Sequence, residues 1–64
     1  MFNEYDHVRI VKTGVAGEIV DIHHGNDGCL WYIVESDERG APGGYGTEDS
    51  FKLYDRRAED LEKL

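Results

Sequence analysis

At 64 residues the chain has room for one domain, near the lower size limit for folding without staples, so its core must be small. A composition of 39% hydrophobic and 33% charged residues falls in the globular range, and no apolar run is long enough to cross a bilayer. The 14 acidic and 7 basic side chains give a formal net charge of −7, which repels phosphate backbones and favours solubility or basic partners.

The opening "MFNEYDHV" lacks the basic and apolar regions of a signal peptide, so the expectation is a soluble, cytoplasmic protein. Residues 8–12, "VRIVK", and 18–23, "EIVDIH", favour strands through β-branched content and polar alternation, with "TGVAG" reversing the chain between them. The segment "HGNDG" has the Asn, Asp and Gly chemistry of a hairpin turn. It leads into residues 30–35, "LWYIVE", the most apolar run of the chain. Three successive strands joined by tight turns predict a meander. From 36 to 46, "SDERGAPGGYG", the glycines and Pro42 exclude regular helix and predict an exposed loop. A one-turn 3-10 segment at 48–50 and a short strand at 51–54 are expected next. The tail "DRRAEDLEKL" reads as a helix over 56–64, with Tyr54, Ala58, Leu61 and Leu64 in one apolar stripe. So short a helix needs tertiary contact to persist.

For the first hairpin, pairing Lys12 with Glu18 sets Ile10 against Val20, Arg9 against Asp21, Val8 against Ile22 and His7 against His23. That register creates two opposite-charge pairs and two apolar pairs, which a one-residue slip destroys. It implies a five-residue loop, 13–17, in which Gly17 supplies a positive φ or a bulge. Val8, Ile10, Val20, Ile22, Tyr32 and Val34 then share the core face. Val11, Ile19, Trp31 and Ile33 fall on the other face beside His7, Arg9, Asp21 and His23. That second face is too apolar to stand free in water, so it calls for cover by the C-terminal stripe or by a partner. Packing by the helix would bring Leu61 near Ile33, Ile19 or Trp31.

The stretch "VRIVKTGVAGEIVDI" followed by "WYIVE" resembles the strand, glycine loop, strand and strand of small SH3-like barrels. It is similar in spacing to the KOW-type motif, in which an apolar strand precedes a glycine loop and a bent strand. The later "GGYGTEDSFKLYD" resembles the end of such a barrel, including the barrels of the photosystem I subunit and the ferredoxin:thioredoxin reductase variable chain. The resemblance implies a mainly β chain: a five-stranded SH3-like open barrel over about 6–54, with the short α-helix as an addition, in a single domain spanning 1–64. It also implies binding rather than catalysis. KOW domains generally bind RNA or transcription and ribosome partners, and this chain departs from them in lacking a basic surface.

Abundant carboxylates carry no catalytic signal by themselves, and no grouping of serine, cysteine and histidine survives placement on the strands, so no enzyme and no cofactor are expected. Cys29 is alone, without a disulfide partner or a CxxC spacing. His23 and His24 point to opposite faces of a strand. His7 and His23, with Asp21 or Asp6 as a third ligand, make a better pair but fall short of a usual zinc set, so no metal is expected. The aromatic residues carry more. Tyr32 and Tyr54 read as core, while Trp31 and Tyr45, with Ile33, His7, His23 and Asp21, compose the expected partner-binding face. The leading expectation is a non-enzymatic adaptor or regulatory module that binds a protein through this aromatic and acidic face, with a homodimer as one form of partner. The alternatives are an acidic nucleic-acid mimic that occupies a basic cleft of another protein, and a KOW-like module associated with RNA or the ribosome.

Overall fold

The computed structural model describes residues 2–64 and arranges them in one antiparallel sheet of five strands. β1 (His7–Ile10), β2 (Ala16–His24), β3 (Leu30–Arg39), β4 (Phe51–Arg56) and β5 (Leu61–Lys63) follow in chain order, with a 3-10 turn at Ala58–Asp60 before β5. Their spatial order is β4-β3-β2-β1-β5: the first four strands form a meander, and the last returns to the free edge of β1. β4 and β5 do not pair with each other, so the sheet is not closed. No helix among the described residues is long and apolar enough to cross a membrane.

One face of this sheet is the core. Val8, Ile10, Ile19, Tyr32, Val34, Tyr54 and Leu61 are buried, with Phe2, Val15, Ile22, Leu30 and Ala58 packed around them. Phe2 meets Tyr32 edge to face at 5.7 Å between ring centroids. The alternation along β1 and β4 puts every second side chain inward, as a two-residue period requires.

The second hairpin follows its turn chemistry. Gly28 takes φ +80°, Gly25 N–H donates to the Cys29 carbonyl, and the Asp27 carboxylate accepts the Cys29 N–H. Ile22 therefore faces Tyr32, and Tyr32 and Val34 lie in the core as expected.

The first hairpin departs from its expected register. His7 faces Glu18, Val8 faces Gly17 and Arg9 faces Ala16, so His7 is not opposite His23 and Lys12 is not opposite Glu18. The reversal comes earlier, at Gly14 (φ +78°), where Gly14 N–H donates to the Ile10 carbonyl and Ile10 N–H to the Val15 carbonyl. Gly17 serves a different need from the one expected. A Cβ there would lie 2.2 Å from the Glu35 carbonyl oxygen, so the residue is glycine because β2 and β3 approach closely.

The bulge in β2 falls at Val20: Ile19 pairs with Val34 but Asp21 with Ile33. It inverts side-chain parity within the strand. Gly17 and Ile19 point inward before it, Ile22 after it. Ile19, expected on the second face, is thus fully buried, and Val20, expected in the core, is half-buried.

The C-terminal α-helix is absent. Asp60 N–H donates to the Arg57 carbonyl to close the 3-10 turn, and Leu61 is extended at φ −120°, ψ 148°. β5 then pairs along β1, with Ile10 opposite Leu61, and flanking bonds run from Val11 N–H to the Asp60 carbonyl and from Leu64 N–H to the His7 carbonyl. A short helix with Arg56 and Arg57 at the positive end of its dipole has little stability of its own. Strand pairing satisfies its backbone and covers an edge that β1 would otherwise expose. The helical stripe dissolves accordingly: Tyr54 and Leu61 are buried, while Leu64 is 49% exposed.

β3 extends to Arg39, shortening the expected 36–46 loop. Buried Ser36 fills the break in the β3–β4 ladder, donating to the Glu38 carbonyl and accepting the Lys52 N–H. Lys52 Nζ donates to the Ala41 carbonyl at 3.0 Å, and Tyr54 hydroxyl to the Pro42 carbonyl at 2.7 Å. The glycine-rich loop is therefore tied to β4 from beneath. The expected 3-10 segment at 48–50 is instead a single turn in which Ser50 N–H donates to the Thr47 carbonyl.

Candidate functional site

The outer face of β2, β3 and β4 carries side chains that a solvated face would not need. Where Lys52 and Tyr54 point inward, Phe51 and Leu53 point out, 41% and 37% exposed. The cross-strand pairing sets Leu53 against Glu35 and Asp55 against Ile33, which brings the half-buried Ile33 and Trp31 into the same surface. Tyr45, 68% exposed, joins from the loop: its N–H donates to the Leu53 carbonyl and Leu53 N–H donates back. Trp31, Ile33, Leu53, Phe51 and Tyr45 thus form one apolar and aromatic tract.

Five of the expected face residues come together here. Asp21 pairs with Ile33 and His23 with Trp31 in the β2–β3 register. Tyr45 lies at the far border, beyond Leu53. His7 shares the face but lies at its β1 border, opposite Glu18, where its Nε2 bonds the Asp37 carboxylate across the intervening strand. Two contributors escaped the sequence reading, Leu53 and Phe51. The alternation of "FKLY" around the core Tyr54 turns both outward, but only pairing with Glu35 and Tyr45 places them in this surface.

Charged groups border the tract. Arg39 lies over the Phe51 ring at 4.8 Å and Arg57 over Trp31 at 5.5 Å, so both cations partly screen aromatic surface. Arg57 also donates to the Cys29 sulfur and approaches Asp27 at 3.9 Å. The bond to Cys29, aided by Glu59 and Asp27, raises its pKa further above the usual range. The Asp27 carboxyl is held below its ordinary value, first by the Cys29 N–H and more weakly by Arg57.

Two concavities lie elsewhere. A cleft of about 410 Å³ opens between Gly14–Ala16 and the Ser36–Pro42 stretch, where Ser36 and Asp37 are already engaged by Lys52 and His7. A shallower one of about 230 Å³ lies beside Cys29, Tyr32 and Arg57. Among the described residues no group of three or more His, Cys, Asp or Glu side chains could hold a metal ion. Comparison of the chain with protein-family models, curated proteins and solved structures gives no match.

Proposed function

We propose that the chain is a small SH3-like barrel acting as a non-enzymatic binding module, which recognises a protein partner through the outer face of β2, β3 and β4. The strand order, the bulge that bends β2 and the 3-10 turn between the last two strands support the barrel reading. The observation that carries the function is the uncovered tract of Trp31, Ile33, Phe51, Leu53 and Tyr45. The segment expected to cover that face pairs with β1 at the opposite side of the sheet instead. Contiguous apolar surface of this kind on a small chain marks an interaction site. Its mixture of aromatic and aliphatic groups with a polar rim is the composition of a protein interface.

Affinity capture from the native host tests this reading with two baits, the wild type and a Phe51→Ser, Leu53→Ser variant. Both substituted side chains are exposed, so the variant keeps its fold. A stoichiometric protein retained by the wild type and lost by the variant is the expected result. Retention by both baits would place the contact elsewhere. A captured protein that itself binds nucleic acid through a basic cleft would favour mimicry.

A further inference from the structure

Of the carboxylates around the apolar tract only Asp21 serves the fold, its Oδ1 accepting the Ile22 N–H beside the bulge. In one cross-strand row Asp21, Ile33 and Asp55 stand side by side; in the next, Glu18, Glu35 and Leu53. Four acids thus surround two apolar side chains. Glu18 and Glu35 are directly opposite each other, an arrangement that destabilises a sheet. None of the four forms an ion pair among the described residues. The nearby bases are committed elsewhere: Arg39 to Phe51 and the Asp49 carbonyl, Arg57 to Cys29 and Trp31, and His7 to Asp37. Local rules broken without internal compensation are characteristic of functional surfaces.

Resting on the binding-module reading above, we propose that the occupant of this face is a cationic segment of a partner protein. It sets arginine or lysine side chains against Asp21, Asp55, Glu18 and Glu35 and apolar side chains over Ile33 and Leu53. The row acid, apolar, acid spans two inter-strand spacings, about 10 Å. An extended segment with a base, an apolar residue and a base at alternate positions spans about 13 Å, a difference that long basic side chains absorb.

The segment lies across the face rather than adding to its edge. Tyr45 already satisfies both backbone groups of Leu53, and the Arg56 guanidinium donates to the Asp55 carbonyl, so the outer edge of β4 is blunted. A second copy is a poor occupant. A two-fold contact would set these acids against their own counterparts, between chains that each carry −7.

The test is an amide NMR titration of the full chain with two acetylated peptides, one repeating Arg-Ser-Leu-Ser and the other Glu-Ser-Leu-Ser. Extension places the charged and leucine side chains of each on one side. The basic peptide is expected to shift Asp21, Ile33, Glu35, Leu53 and Asp55, with an affinity that falls as salt is raised. The Glu35→Gln, Asp55→Asn variant should bind it roughly five- to tenfold more weakly. Glu35→Gln alone should melt about 2 to 5 °C higher, because a like-charge pair is removed. Equal shifts from both peptides would overturn the cationic assignment and leave the binding-module reading standing. Shifts confined to other surfaces, or no shift, would overturn the assignment as well. Concentration-dependent self-association that Leu53→Ser abolishes would replace it with a second copy.

Discussion

Asp6 joins the chain ahead of β1 to the last strand. Its carboxylate accepts the Asn3 N–H at 2.8 Å and approaches Lys63 Nζ at 3.5 Å, while its carbonyl accepts the Ile19 N–H. The Asn3 bond, and less strongly Lys63, hold its pKa below the ordinary value against a smaller opposing effect of burial. A depressed carboxyl stabilises the fold above its unfolded pKa, about 3.9, and that contribution is lost as pH falls through the folded value. Asp6→Asn is therefore expected to lower the urea midpoint at pH 7, with the gap to wild type closing in strong acid. A gap that stays constant from neutral to acid pH would show that Asp6 acts through packing alone. The Lys63 partner was not legible in "NEYDHV", since it arrives from the other end of the chain.

At the scale of elements, the C-terminal segment is the instructive case. Its apolar residues were read at helical spacing, yet three residues of strand account for Leu61 equally well once β1 offers an unpaired edge. Leu61 joins Val8 and Ile10 in the core instead of covering Trp31 and Ile33. Leu61→Ala should cost about 2 to 5 kcal/mol, a large part of the stability of so small a domain. Leu64→Ala, at a half-exposed position, should cost far less. Denaturant unfolding of the two variants checks this, and similar losses for both would mean that β5 is held by its backbone rather than by its side chain. The loop before β4 makes a similar point. Its glycines and Pro42 predicted an exposed loop, and the structure ties that loop down through Lys52, Tyr54 and the Tyr45–Leu53 bridge.

For the molecule as a whole, charge decides between classes of partner. The −7 is spread over both halves of the chain, and the bases near the outer face are occupied by aromatic rings and internal acceptors. Neutralised phosphates supply most non-specific affinity for nucleic acid, so the protein is expected not to bind duplex DNA or generic RNA at physiological salt. Fluorescence anisotropy with labelled duplex and RNA measures this directly. Salt-sensitive binding at micromolar concentrations would contradict it and revive the KOW-like alternative.

The amino-acid sequence by itself determined the meander, the second hairpin and the inward side of β3, because turn residues and two-residue alternation act locally and leave legible marks. It also identified Trp31, Ile33, Asp21 and His23 as one outward group, since these belong to the β2–β3 ladder beyond the bulge. The register of β1, the inward turn of Ile19, the strand at Leu61 and the place of Leu53 and Phe51 were decided only in three dimensions. Each depends on something that one segment does not contain. Gly17 is required by a carbonyl of β3, and the parity of β2 changes at a single inserted residue. Lys52 turns inward because the Ala41 carbonyl waits beneath it in the folded-back loop before β4, and β5 forms because β1 has a free edge. Local pattern specifies which side chains alternate; long-range pairing specifies which neighbour makes each alternation pay.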